Sequence, residues 1–298
     1  MRCAPQSYAP LDPRSAPLDP CSASGRPAAK RDHQLGVYVH VPFCERICPY
    51  CDFAVVRAPA LARDREDAFV TALLAEFERR LPHFGASRLA TLYFGGGTPS
   101  RLRAESIARV IDVVRAALPA SDAALEITLE VNPSTTERAR LAAFRAAGVN
   151  RLSIGIQSFA DATLKRLGRA HRAQEGRATF AAARDAGFAN ISLDLLFAAP
   201  KQTLADLDAD LDVFLGFAPE HVSSYAMTLE EGTPFERAAR SGKLLVPEDD
   251  DVAAMLECIA LRLPAAGLAR YEVSSFARAG FESRHNQRYW QRRPVLSC

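Results

Sequence analysis

Three cysteines with a short, regular spacing are the residues of this sequence best suited to metal chemistry. Cys44, Cys48 and Cys51 follow the pattern Cys-x3-Cys-x2-Cys. Three thiolates can hold three irons of a cubane iron-sulfur cluster, whereas structural zinc needs a fourth protein ligand. His40 is the only other ligand nearby, and no second Cys/His pair follows at the spacing of a zinc ribbon. The spacing therefore favours a cluster over zinc, and the odd number disfavours a disulfide.

Polar and glycine-rich positions interrupt otherwise apolar segments. Glu130 and Gln157 each end an apolar run, and Asp194 lies inside one. A buried polar group without a partner costs about 1–3 kcal/mol, so each should bind a ligand or satisfy loop backbone, and for Asp194 we favour a ligand. The run Gly95–Gly97 favours close approach to a ligand over a plain turn. Arg169 taken alone favours a solvated surface charge over a carboxylate clamp.

The elements that must position these residues alternate between short apolar strands and helical patterns, which is typical of βα units and a parallel sheet. The predicted strands are Leu35 to Val41, Leu89 to Phe94, Leu125 to Val131, Arg151 to Gln157, Asn190 to Phe197 and His221 to Met227. The predicted helices are Arg63 to Arg80, Ala104 to Ala117, Thr135 to Ala147, Asp161 to Leu167, Ala173 to Ala186 and Leu204 to Phe217. Ligands of such folds bind where the strands end, because the βα loops converge there. The cysteines, the glycine run, Glu130 and Gln157 all fall at that edge.

Composition bounds the class of protein. The chain has 298 residues, 48% of them hydrophobic, and a net charge of +2 with basic and acidic residues interspersed. A single large domain is therefore feasible, and nucleic acid is disfavoured as a partner. No apolar run reaches the roughly 18 residues of a membrane span, so we expect a cytoplasmic protein. Residues 1–33 are rich in Pro, Ala and Ser, which predicts a disordered tail.

Together these motifs resemble the radical S-adenosylmethionine (SAM) superfamily and, within it, the oxygen-independent coproporphyrinogen III oxidases and the heme chaperones related to them. The resemblance spans about residues 35–290. It implies an α/β fold, with a partial (β/α)6 TIM-like barrel of the radical SAM type over residues 34–230. The tail of residues 1–33 would precede this core. Residues 231–298 would begin a C-terminal domain, which we expect to be truncated because family members continue well beyond this point.

The resemblance also implies a set of cofactors. The three cysteines would bind a 4Fe-4S cluster, and the amino and carboxylate groups of SAM would chelate its fourth iron. In such proteins one electron from the reduced cluster cleaves the sulfonium to a 5'-deoxyadenosyl radical. The implied cofactor pocket consists of Tyr38, Tyr50, Gly96, Gly97, Thr98, Glu130, Gln157, Arg169 and Asp194.

Two features favour the heme chaperones within this branch. The oxidases have a further cysteine two positions after the third, where this chain has Phe53. The motif His285-Asn286-x-x-Tyr289-Trp290 resembles an element associated with heme binding, which implies His285 as a heme ligand. On composition alone, an aromatic anchor that packs the last segment is the favoured interpretation of this motif.

The function implied for such a chaperone is to bind heme and transfer it to an acceptor protein, with a membrane respiratory protein as a candidate acceptor. An electron donor protein and a second copy of the chain are further candidate partners. Whether the chain is an enzyme stays open. One alternative is a radical SAM enzyme of porphyrin biosynthesis that oxidatively decarboxylates coproporphyrinogen III. The other is a zinc-stabilised β/α binding domain without redox chemistry.

Overall fold

The alternation of strands and helices predicted from the sequence is present in the structure. The computed structural model describes residues 34–85, 87–120 and 125–298, so the predicted disordered tail, residues 1–33, lies outside the described residues. The strands are β1 (Gln34–Val41), β2 (Phe43–Cys44), β3 (Val56–Arg57), β4 (Arg88–Gly96), β5 (Glu126–Val131), β6 (Arg151–Gln157), β7 (Ile191–Phe197), β8 (His221–Ala226), β9 (Ala269–Arg270), β10 (Ser275–Ala277) and β11 (Val295–Ser297).

Helices follow most of these strands. They are α1 (Arg63–Arg80), α2 (Ala104–Ala117), α3 (Thr135–Arg138), α4 (Leu141–Ala146), α5 (Asp161–Arg166), α6 (Ala173–Asp185), α7 (Leu204–Gly216), α8 (Pro234–Arg240), α9 (Asp249–Ala265) and α10 (Arg284–Trp290), with 3-10 turns at Leu81–Phe84 and Pro99–Arg101. Among the helices of the described ranges, none is both long enough and apolar enough to cross a membrane.

The main sheet has nine strands in the order β11-β1-β4-β5-β6-β7-β8-β10-β9. The strands from β1 to β8 in this order run parallel and follow one another in sequence, with helices in the connections, as in a partial β/α barrel. All six predicted strands are present, and their ends differ from the predicted ones by no more than two residues. The predicted fold class is therefore confirmed.

Two features of the chain differ from the expectation. The predicted helix Thr135 to Ala147 is two short helices, α3 and α4, because the backbone tightens at Arg140, whose amide bonds to the carbonyl of Glu137 only three residues back. The sheet also continues beyond residue 230, since β10 pairs antiparallel with β8 and β11 pairs parallel with β1. The predicted domain boundary at that point stays a prediction.

The two faces of the central strands differ in polarity, as the two-residue period of a strand allows. On β6, Leu152, Ile154 and Ile156 are fully buried in an apolar core with the surrounding helices. Arg151 and Ser153 alternate with them and face a cavity inside the partial barrel. The fold thus packs an apolar outer layer and directs polar side chains inward.

Helix α10 lies at the end of the barrel where the strands begin. The amide of His285 donates to the carboxylate of Glu126, the first residue of β5, at 3.0 Å. The guanidinium of Arg288 donates to the carbonyl of Gln34, the first residue of β1, at 2.6 Å. The cysteines follow the last residue of β1, so α10 and the cysteine loop occupy opposite ends of the strands.

Candidate functional site

A single cavity of about 410 Å³ brings together most of the residues predicted to act. Its volume is within the usual range for small-molecule sites. The predicted residues that line it are Cys44, Cys48, Tyr50, Cys51, Gly96, Gly97, Thr98, Glu130, Gln157, Arg169 and Asp194. Tyr38 does not line it, but stacks behind Tyr93 with ring centroids 6.1 Å apart.

The cysteine loop is held to the barrel by backbone hydrogen bonds. Strand β2, which ends at Cys44, pairs with β3, and the carbonyl of Cys44 accepts from the amide of Ala58 at 2.7 Å. His40 ties the other side of the loop, because its Nε2 lies 2.9 Å from the carbonyl oxygen of Ala54. All three thiols are free of disulfides. The loop is therefore a positioned platform for the three sulfurs.

The surroundings of the sulfurs fit a thiolate-bound cluster. A Cβ atom on Gly97 would lie 2.9 Å from Cys44 Sγ, so only glycine lets the backbone pass this close. The hydroxyl of Thr98 donates to Cys44 Sγ at 3.7 Å, and Nη1 of Arg169 donates to Cys48 Sγ at 3.6 Å. Donors aimed at sulfur are the contacts by which proteins stabilise the charge of iron-sulfur clusters.

The number of available donors bears on the choice between a cluster and a structural zinc ion. Within the described ranges, no three His, Cys, Asp or Glu side chains converge in the way a single ion requires. Burial raises the pKa of the Cys44 and Cys51 thiols, which favours the neutral forms until a metal displaces the protons. Three thiols on one cavity wall supply the three donors of a cluster with one open iron, whereas structural zinc needs four donors.

Two acidic side chains face the cavity from neighbouring parts of the sheet. Glu130 accepts hydrogen bonds from the hydroxyl of Tyr93 at 2.9 Å and from the amide of Gly96 at 3.2 Å. Burial, with a further contribution from the charge of Asp194, raises the pKa of Glu130 to about 7. Burial likewise raises the pKa of Asp194 to about 6, although Ser153 donates to it at 2.9 Å. Near neutral pH, each carboxyl can therefore lose its proton and bind a cationic or hydroxyl-bearing ligand.

Arg169 is held inside the site and is not a solvated surface charge. Its Nη2 donates to Asn132 Oδ1 at 2.7 Å and to the carbonyl of Gly155 at 2.8 Å. These bonds fix the guanidinium plane between the cysteine loop and β6. The structure thus differs from the interpretation favoured for this residue alone and places a positioned cation on the cavity wall.

The end of β6 is strained where it meets the site. Gln157 has φ of 67°, a left-handed conformation that a non-glycine residue adopts at a cost of about 1–3 kcal/mol. The pairing register between β6 and β7 shifts between Ile154 and Gln157. This irregularity places Gln157 on the cavity wall, and strain of this kind is typical of functional sites.

Several cavity residues were missed from the sequence. They are Tyr93, Arg151, Ser153, Ser223 and Tyr225. Arg151 is only 2% exposed, its Nε has no hydrogen-bond partner in the part of the chain that the structure describes, and its charge opposes the rise in the pKa of Asp194. The alternation of polar and apolar residues along β6 was a signal that could have identified Arg151 and Ser153.

His285 lies behind the cavity and is fully engaged by neighbours. It is 1% exposed, its Nδ1 is hydrogen-bonded with the hydroxyl of Thr91 at 2.8 Å, and its Nε2 with the hydroxyl of Tyr289 at 3.3 Å. Burial lowers its pKa to about 3, so the ring is neutral. Its role as a heme ligand stays a prediction, and it would require the ring to release one of these two bonds.

Comparison with known proteins agrees with this geometry. Residues 38–214 match the model of the radical SAM superfamily. The heme chaperone HemW of Bacillus subtilis is 38% identical over 253 residues, which are 85% of this chain and 66% of the relative. HemW of Mycobacterium tuberculosis H37Rv is 40% identical over 256 residues, 86% of this chain and 65% of the relative. The chain thus spans just under two thirds of the length of these relatives.

A solved structure gives the same placement. The coproporphyrinogen III oxidase HemN from Escherichia coli, described as a radical SAM enzyme, superposes with a TM-score of 0.75 at 26% identity, over 89% of this chain and 63% of that one. The fold, the cysteine loop and the sequence matches point to one family. The chain therefore belongs to the radical SAM superfamily, in the HemN-like branch that includes the heme chaperone HemW.

Proposed function

We propose that this chain is the cluster- and SAM-binding part of a heme chaperone, which binds heme and passes it to an acceptor protein. The carrying observation is Phe53, which stands where the oxidases have a further cysteine. Its ring is 65% exposed at the edge of the cavity, so an apolar surface replaces a thiol next to the cluster loop. The relatives named heme chaperones, at 38–40% identity over most of the chain, support this assignment.

The cavity residues divide the work of holding the cofactors. The cysteines would hold the 4Fe-4S cluster, while Arg169 would bind a carboxylate of SAM and Glu130 and Asp194 its amino or hydroxyl groups. When bound, a cluster with one open iron supplies single electrons to its ligand. An electron donor protein, a homodimer and a cytoplasmic location are parts of this proposal, as is an acceptor at the membrane.

Heme has a candidate contact surface at the other end of the barrel. Tyr289 and Trp290 on α10 are 51% and 58% exposed, which is unusual for large aromatic rings and suits contact with a flat apolar macrocycle. Iron ligation by His285 would break its longer hydrogen bond, the one to Tyr289 at 3.3 Å. The proposal therefore places heme against α10 and away from the cysteines.

The test is anaerobic reconstitution, iron and sulfide analysis, and titration with heme. We expect a Soret shift in the wild type, loss of that shift in His285→Ala, and an equal or tighter complex in Tyr289→Phe, which frees Nε2. His221→Ala is the matched control, because His221 is 0% exposed and has both ring nitrogens bonded, to Ser192 and Tyr271 at 2.8 Å each. A wild type without a Soret shift, or equal shifts in all variants, would contradict heme ligation by His285.

The oxidase remains the second candidate function, because every residue of the implied SAM pocket except Tyr38 lines the cavity and the fold of HemN is shared. It predicts that the reduced, reconstituted protein converts coproporphyrinogen III to protoporphyrinogen and releases deoxyadenosine under anaerobic conditions. The heme chaperone predicts no porphyrinogen product. One anaerobic assay with coproporphyrinogen III and SAM therefore separates the two functions.

A further inference from the structure

The side-chain amide of Asn132 connects the two residues that donate hydrogen bonds to the sulfurs of Cys44 and Cys48. Asn132 follows β5 and lies between Thr98, after β4, and Arg169, after α5. Its Nδ2 donates to Thr98 Oγ1 at 2.8 Å, and its Oδ1 accepts from Arg169 Nη2 at 2.7 Å. Thr98 and Arg169 in turn donate to Cys44 Sγ and Cys48 Sγ. The four contacts form a continuous chain from one sulfur to the other.

The direction of every bond in this chain is determined by chemistry. A guanidinium has only donors, so the atom of Asn132 that faces Arg169 must be its oxygen. The amide nitrogen therefore faces Thr98, whose hydroxyl accepts this bond. Because a hydroxyl has one proton, that proton remains available for Cys44 Sγ.

The backbone of Asn132 is also held in place, which positions its side-chain amide. The amide N–H of Asn132 donates to the carboxylate of Glu137 at 2.9 Å, and Glu137 is 6% exposed. Ser134 caps α3 by accepting from the Glu137 amide at 3.1 Å. The turn that follows β5 thus fixes Asn132 in place.

We propose that Asn132 is a positioning residue that orients the donors to two cluster sulfurs and thereby raises the reduction potential of the cluster. This rests on the proposed 4Fe-4S site. Hydrogen bonds to the sulfurs stabilise the more negative, reduced cluster, so their loss lowers the potential. Through Thr98 and Arg169, one amide sets the donors at two of the three thiolates.

The experiment is an anaerobic redox titration of the reconstituted protein, followed by electron paramagnetic resonance of the reduced cluster. For Asn132→Ala we expect the ratio of reduced to oxidised cluster at a fixed ambient potential to fall by about threefold to tenfold, where tenfold equals about 59 mV for one electron. Thr98→Val should shift the ratio in the same direction. The double variant should shift it by less than the product of the two, because Asn132 acts partly through Thr98.

Asn150→Ala is the matched control. The side chain of Asn150 also makes two hydrogen bonds, accepting from the Ile127 amide at 2.8 Å and donating to the Leu125 carbonyl at 2.6 Å, but at the beginning of β5. It should leave the potential unchanged while it removes two side-chain hydrogen bonds. A potential shift in this control equal to that of Asn132→Ala would make the effect a general loss of stability and overturn the proposal.

The remaining outcomes also decide the question. A wild type that holds cluster and an Asn132→Ala variant with unchanged potential would overturn the role of Asn132 and leave the proposed function intact. If Asn132→Ala loses the cluster, Thr98→Val decides, since a lowered potential supports the relay and an unchanged one refutes it. A wild type that takes up no iron or sulfide removes the proposed site, and this role with it.

Discussion

Replacing Glu130 by glutamine should stabilise the cluster-free protein at alkaline pH. Its carboxylate is buried against the cavity, close to the charge of Asp194, and its pKa is raised from 4.5 to about 7. Between these two pH values the folded protein holds a proton that the unfolded chain has released. The free energy of unfolding therefore falls as the pH rises through this window, and the loss is complete above pH 7.

The size of the effect follows from the size of the pKa change. A rise from 4.5 to about 7, at about 1.4 kcal/mol per pH unit, corresponds to about 3.5 kcal/mol, which is an upper bound because water can enter the cavity. Glutamine keeps one acceptor oxygen, so the bond from Tyr93 or from Gly96 is lost at about 1 kcal/mol. Glu130→Gln should gain up to about 2.5 kcal/mol at pH 8 and lose about 1 kcal/mol at pH 4.5.

Urea unfolding of the cluster-free protein, followed by far-ultraviolet circular dichroism from pH 4.5 to 8, measures this difference. Glu231→Gln, on an exposed turn, is the control and should follow the wild type at every pH. Parallel pH dependences for the wild type and Glu130→Gln would refute the assignment of a buried, proton-holding carboxyl. The stabilised variant should also bind SAM more weakly after reconstitution, because it cannot supply a negative charge.

Three further substitutions test separate parts of the structure. Gly97→Ala places a methyl group 2.9 Å from Cys44 Sγ, so we expect a severalfold lower iron content after reconstitution with unchanged circular dichroism. Glu126→Ala removes the acceptor of the His285 amide and should lower the free energy of unfolding by about 1–3 kcal/mol, measured with urea. Phe53→Ala should change stability by less than about 0.5 kcal/mol, since the ring is 65% exposed, and calorimetric titration then measures whether heme affinity depends on it.

Local pattern was enough to predict the strands, most helices and the place of the cysteine loop after β1. The apolar runs of the parallel strands are long and bounded by glycine or proline, and the cysteine spacing lies within eight residues. Thr203, which directly precedes the predicted helix Leu204 to Phe217, caps α7 by accepting from the Asp206 amide at 3.1 Å. Such features depend on neighbours in sequence, which is why one sequence reveals them.

Other features depend on contacts between distant segments. Asn132 has an ordinary position after a strand, and its bridging role arises only when the loops after β4 and α5 meet it. The placement of α10 depends on Glu126, which is 159 residues before His285. The pairing of β11 with β1 joins the two ends of the described chain. No periodicity or motif encodes these meetings, so the sequence could not predict them.

The polarity of the barrel interior links the fold to the site. Thr128 Oγ1 and Arg151 Nε are buried without partners among the described residues, and the carboxyls of Glu130 and Asp194 are held partly protonated near neutral pH. Each of these features lowers stability relative to an apolar interior of the same volume. The apolar layer outside the sheet must therefore supply the stability that the interior lacks. Arg151, Glu130 and Asp194 line the cavity. Because a polar ligand there would pair with Arg151 and favour the charged carboxylates, ligand binding and folding stability are coupled through these three side chains.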